Sequence, residues 1–112
     1  MNDKTVAMTI LEQLGGNKFI AMTGARNLVF SKDSLTMSIP KNMSKANRLK
    51  ISLNWDDTYT MRFYKYTAPR LNHKAMTYTN EKTEEVVKYD GVYFDQLQEL
   101  FTQVTGMYTR LF

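Results

Sequence analysis

Residues 48–66 read RLKISLNWDDTYTMRFYKY, two alternating runs joined by a short polar segment. In the first run Leu49, Ile51 and Leu53 alternate with Arg48, Lys50 and Ser52; in the second Tyr59, Met61 and Phe63 alternate with Thr60, Arg62 and Tyr64. Successive side chains of a strand point to opposite faces, so each run gathers its apolar set on one face and its polar set on the other. Asn54-Trp55-Asp56-Asp57 supplies turn-forming chemistry between them. Opposed residues of an antiparallel pair share a face, so matching the two apolar sets requires a connection of odd length, three or five residues. The stretch predicts a β-hairpin with a greasy side and a basic, phenolic side.

The flanking sequence reads outward from that hairpin. Leu35, Met37 and Ile39 alternate with Thr36 and Ser38 and stop at Pro40, a second half-buried strand. Residues 18–31 are a β-prone stretch, with Gly24 suggesting a turn or bulge; Lys32-Asp33-Ser34 supplies a turn, and the stretch pairs with the Leu35 strand as a hairpin. Upstream, Val6, Ile10, Leu11 and Leu14 form one stripe of a helix over about residues 3–14, with Asn2 or Asp3 as its cap and Gly15-Gly16 as its end. Downstream, Thr67 to Thr83 is a polar segment without a period, a long loop or one holding a short hairpin around Ala75 to Thr79. A short strand over Val86 to Tyr89 ends at Asp90-Gly91. Phe94, Leu97, Leu100, Phe101 and Val104 then mark an amphipathic helix closed by Gly106.

Two helices with one apolar stripe each and strands with one apolar face each are satisfied together when both helices cover one side of the sheet. The expectation is an α+β fold: an antiparallel sheet of four to five strands flanked by an N-terminal and a C-terminal helix packed on one face. At 112 residues, one domain spanning residues 1–112 is expected.

Composition narrows the chemistry. Cysteine is absent, which excludes a disulfide framework, a thiolate metal site and a cysteine nucleophile. It also fits a reducing cytoplasm. No basic-then-apolar leader opens the sequence and no window approaches the roughly 18 apolar residues of a membrane span, so a cytoplasmic protein without membrane association is expected. Net charge is +4, with eight Lys/Arg against three Asp/Glu in residues 1–50 and seven against eight thereafter. That balance is compatible with an anionic partner and does not require one.

Catalytic material is thin. His73, the one histidine, lies in the polar segment, where solvation explains it. No serine has a nucleophile-elbow setting and no Asp/Glu/His cluster has metal-ligand spacing. Asp56-Asp57 is turn chemistry, and Gly15-Gly16-Asn17-Lys18 leaves a helix C-terminus, where the dipole is negative, so it is read as a cap and not as a phosphate cradle. No enzyme, cofactor or metal is expected.

What stands above background is the polar side of the central hairpin. Arg48, Lys50, Arg62, Tyr64 and Tyr66 share it. Cations among aromatics on a sheet hold phosphates and stack bases, the chemistry of single-stranded nucleic-acid binding. The same residues are equally ordinary on a solvated β surface. Trp55 either folds back over the sheet edge, the favoured reading, or projects as an interface anchor for a protein partner.

The segment Ile10 to Ala25, containing LGGNKFIAMTGA, and the ending Val92-Tyr93-Phe94-Asp95-Gln96-Leu97 through Thr105-Gly106 resemble a family of short, uncharacterised proteins of bacteriophages and mobile elements. The resemblance spans nearly the whole chain, except that Thr67 to Thr83 is longer than the family's usual connection. It implies work in a bacterial cytoplasm on replication, recombination or defence, and it supplies no activity and no functional residues. Strands followed by a helix are also similar to single-strand-binding sheets of the transcriptional coactivator type, as fold analogy only. Two partners follow: single-stranded nucleic acid on the hairpin's outer side, or a host protein, such as a defence factor to be inhibited, at Trp55, at the acidic last helix with Asp95 and Glu99, or at an open sheet edge.

Overall fold

In the computed structural model, which describes residues 5–78 and 80–107, residues 48–66 form the expected hairpin. Strand β3 (Arg48–Leu53) pairs antiparallel with β4 (Tyr59–Thr67), with Leu49 opposite Phe63, Ile51 opposite Met61 and Leu53 opposite Tyr59. The connection runs over Asn54–Thr58, five residues, which keeps both apolar sets on one face.

Strands β1 (Arg26–Phe30) and β2 (Ser34–Ser38) form a second hairpin beside β3, and β7 (Lys82–Val92) closes the other side, giving a five-stranded antiparallel sheet in the order β1-β2-β3-β4-β7. Between Arg26 and Val29 the β1 register slips, and Asn27 takes φ 54° there, so the bulge lies in the strand and not at Gly24. Helices α1 (Thr5–Leu14), α2 (Asn17–Thr23) and α3 (Leu97–Thr105) bury Ile10, Leu14, Phe19, Leu97 and Phe101 in one cluster with Leu35, Met37, Leu49, Ile51, Met61 and Phe63. The helices therefore cover one face of the sheet. The chain has the α+β architecture that its periodicities imply. Phe101 stands at the centre, edge-on to Phe19 at 5.0 Å and tilted against Phe63 at 6.3 Å between ring centroids.

Three segments differ from expectation. Residues 18–22 are helical, not extended. Gly15-Gly16 closes α1, with the Gly16 amide donating to the Leu11 carbonyl at 2.9 Å and the Gly15 amide to that of Glu12 at 3.1 Å. The same pair opens α2, whose Gly16 cap gives no side-chain bond. Phe19 and Thr23, one helical turn apart, are both buried, and that burial overrides the β preference of Phe19-Ile20. The last strand is also longer than Val86–Tyr89 at both ends, because its whole length pairs with β4. Finally, the last helix begins at Leu97, after a 3-10 turn over Phe94–Gln96. Phe94 is 60% exposed and does not join the apolar stripe. The proposed Asn2/Asp3 cap lies outside the described residues.

The segment after β4 holds a small hairpin, β5 (Leu71–Asn72) with β6 (Thr77–Tyr78), forming a separate two-stranded sheet. The Asn72 carboxamide oxygen accepts from the amides of Lys74 and Ala75, and Met76 takes φ 55° to complete the turn.

Candidate nucleic-acid interface

The sheet face away from the helices is built by register. Val29, Thr36, Lys50, Arg62 and Lys88 are successive cross-strand partners, so three cations stand side by side on β3, β4 and β7. The next row toward the β5–β6 hairpin is Ser38, Arg48, Tyr64 and Glu85. Arg48, Lys50, Arg62, Tyr64 and Tyr66 are all half-buried, as expected for side chains lying on a sheet face that no described helix covers.

Within this face the groups hold each other. The Arg62 guanidinium lies 4.7 Å from the Tyr64 ring centroid, and Arg48 lies 5.4 Å from that of Tyr66. Arg62 Nε also donates to Glu85 Oε1 at 3.0 Å, in a pair about as exposed on one side as on the other. An ion pair in that setting is worth about 0–1 kcal/mol and yields to salt or to a competing phosphate. Lys88 approaches Asp90 only to 3.9 Å. Among the described residues no salt bridge reaches Lys50. Tyr66 donates its hydroxyl to Glu81 Oε2 at 2.9 Å. That hydrogen bond is the main cause holding the Tyr66 phenol above its ordinary pKa, with Arg48 pulling the other way.

Asn47, which the sequence reading passed over, fixes Tyr66 in place. Its side chain donates to the Tyr66 carbonyl and accepts from the Tyr66 amide, both at 2.8 Å, and so imitates one more residue of β3 along the ladder. Lys88, Glu85 and Glu81 were missed as well. Alternation through Val87 and Tyr89 assigns Lys88 to the polar side, but which strand lies beside it depends on long-range pairing.

Trp55 projects. It is 96% exposed, which overturns the reading that it folds back. The turn explains why: Asn54 Nδ2 donates to Thr58 Oγ1, Thr60 Oγ1 donates to Asn54 Oδ1, and Thr58 Oγ1 donates to Asp56 Oδ1 at 2.6 Å. The polar side chains lock the turn among themselves and leave the indole outside. Since Leu53 faces Tyr59 and Tyr59 faces Val92, the exposed Tyr93 and Phe94 follow at the same end of the sheet. Asp56-Asp57 is no cation clamp, because Asp56 is committed to Thr58 and Asp57 serves the turn with φ 65°. His73 stands exposed in the β5–β6 turn.

The fold and this face together define a five-stranded antiparallel α+β domain with a one-sided helical layer and a cationic outer surface. Set against protein-family models, curated proteins and solved structures, the chain matches none. Among the described residues no group of three or more His, Asp or Glu could hold a metal ion, and no helix is long and apolar enough to cross a membrane.

Proposed function

We propose that this chain is a nucleic-acid-binding accessory protein of a bacteriophage or mobile element, acting in a bacterial cytoplasm and holding a single strand on the outer sheet face. The observation that carries the reading is the row Lys50, Arg62 and Lys88, flanked by Tyr64 and Tyr66, on the one sheet face that the helices leave open. Strands in the sheet lie about 4.8 Å apart, so the three cations span about 10 Å, and their long side chains can reach consecutive phosphates of one strand. Arg62 exchanges the exposed Glu85 carboxylate for a phosphate, and the Tyr64 ring or the guanidinium above it then offers a stacking plane to a base. No catalytic step is proposed.

The test is anisotropy of a labelled single strand at two salt concentrations. Three phosphate contacts give a slope of log K against log salt of about −2, and Lys50→Ala, Arg62→Ala and Lys88→Ala each reduce it by about 0.7. Tyr64→Ala weakens binding with the slope unchanged. Salt-insensitive binding, or none, by a folded chain rejects the reading.

A second reading has its own observation. An indole 96% exposed on a hydrogen-bonded turn resembles the aromatic anchors of protein interfaces, which supports a module that docks a host protein. Here Trp55→Ala abolishes a complex isolated from host lysate. Persistence of that complex through Trp55→Ala, Asp95→Lys and Glu99→Lys discards this surface.

A further inference from the structure

The molecule measures 50 × 35 × 23 Å, with a radius of gyration of 15.3 Å, where a compact domain of about 100 residues has roughly 13 Å. The excess belongs to the β4–β7 ribbon and the hairpin it carries. Asn47 is the last residue to bond β4 from the β3 side, and beyond it the ribbon continues as two strands through Thr67 opposite Lys82. Among the described residues none from 64 to 86 is buried. This arm adds nothing to the core, and an isolated two-stranded hairpin gains little stability of its own in water.

The arm's surface is unusual for a solvent spur. Lys65, Arg70, Lys74 and Lys82 stand along it against Glu81, Glu84 and Glu85; Lys82 pairs with Glu84 at 2.6 Å, Glu84 also lies opposite Lys65, and Glu85 is held by Arg62 of the sheet face. Its tip exposes apolar groups: Met76 is 78% exposed and Tyr78 71%, with Leu71 directly opposite Tyr78. The Leu71–Tyr78 contact helps to hold the hairpin. Met76, in the turn, has no such duty.

We infer that the arm is a second nucleic-acid element, which lays its ribbon into the major groove of B-form DNA. The inference rests on the nucleic-acid reading above for the partner's chemistry, while using residues that the sheet face does not. A major groove about 12 Å wide admits a two-stranded β-ribbon. Lys65 and Lys74, near the base and at the tip, meet phosphates along the groove walls. Met76 and Tyr78 meet base edges, where the thymine methyl is the apolar feature. A-form RNA offers a major groove too narrow and deep for such an insertion, so the arm selects a DNA duplex over an RNA duplex of the same sequence.

The experiment uses the full chain with three labelled probes: a DNA duplex, an RNA duplex and a DNA single strand. Lys65→Ala with Lys74→Ala lowers DNA-duplex affinity about tenfold at low salt and flattens the salt slope by about 2, with single-strand binding retained. Met76→Ser with Tyr78→Ser lowers duplex affinity and leaves the slope alone. All four residues are exposed, and near-ultraviolet circular dichroism verifies that the core is intact. Unchanged duplex affinity in both double variants, equal loss on duplex and single strand, or equal affinity for DNA and RNA duplexes overturns the arm's role. Loss of single-strand binding in Lys50→Ala and Arg62→Ala, with duplex binding preserved, tests the sheet face separately. A face without single-strand affinity leaves the arm's duplex result standing on its own.

Discussion

Asp56 shows how a single side chain aims another. Its Oδ1 accepts from the Thr58 hydroxyl at 2.6 Å and from the Thr58 amide at 3.3 Å. The hydroxyl bond is the leading cause that draws the Asp56 pKa below its ordinary value, with slight desolvation opposing. A carboxylate whose folded pKa is depressed stabilises the fold above its unfolded pKa, about 3.9 for aspartate. That contribution is lost as pH falls through the lower, folded value. At neutral pH the turn is therefore closed. Following the Thr58 amide by NMR during acid titration yields a midpoint below 3.9, the ordinary aspartate value, and Asp56→Asn abolishes the step. A midpoint at or above the ordinary value means that the bond is not formed in solution, and with it goes the explanation for the projecting Trp55. No residue-level signal in the sequence gave the direction of that indole, because it depends on which way four neighbouring polar groups bond.

Helices α2 and α3 end with the same device. In each, a buried threonine donates to the carbonyl four residues earlier at 2.7 Å and accepts from the amide two residues later, and a left-handed glycine follows. Thr23-Gly24 and Thr105-Gly106 are therefore one closing motif used twice. Gly24 has φ 73° and space beside Pro40 for a methyl group at ordinary contact distance, so Gly24→Ala isolates the backbone cost of the left-handed state. That cost is about 1–2 kcal/mol, read as a lower urea midpoint with the m-value unchanged; an unaltered midpoint would mean that α2 ends elsewhere. The repeated motif is also the signal that would have found α2 in the sequence. What concealed it was a seven-residue length, a glycine N-cap without side-chain bonding, and Phe19-Ile20, which read as strand. The central hairpin was legible because one face of every residue pair is buried, and burial is what writes a period of two into a sequence. The first half of β7 carries no such period, since Lys82 to Val86 face solvent on both sides. The candidate face was legible only to the extent of β3 and β4. Lys88 and Glu85 join it through a strand that arrives after the arm.

At the scale of the whole chain, charge sorts in space differently from the way it sorts along the sequence. Asp33, Asp56 and Asp57 meet at the Trp55 end, where the Leu53 amide donates to the Asp33 carbonyl, while Arg48, Lys65 and Lys74 belong to the arm end. Of those three cations only Arg48 belongs to the first half of the sequence, so the basic excess counted along the chain and the cations of the arm end are largely different residues. The two ends are mechanically separable, because among the described residues every buried side chain lies in the body and none in the arm. Replacing residues 68–81 by Asn-Gly joins Thr67 to its partner Lys82 through a two-residue turn whose twist suits a hairpin. Shortening the connection lowers the entropic cost of closure by about 1–2 kcal/mol, and what is removed is the solvent-exposed β5–β6 hairpin with its own bonds and the Tyr66–Glu81 hydrogen bond to the ribbon, among other arm contacts. The shortened chain is expected to melt at or above the temperature of the parent, with single-strand binding kept and DNA-duplex binding gone. A fall of more than about 5 °C, about 1 kcal/mol or more for a domain of this size, would mean that the arm packs on the body and carries stability, and the body could then no longer be treated as a unit independent of the ribbon that leaves it.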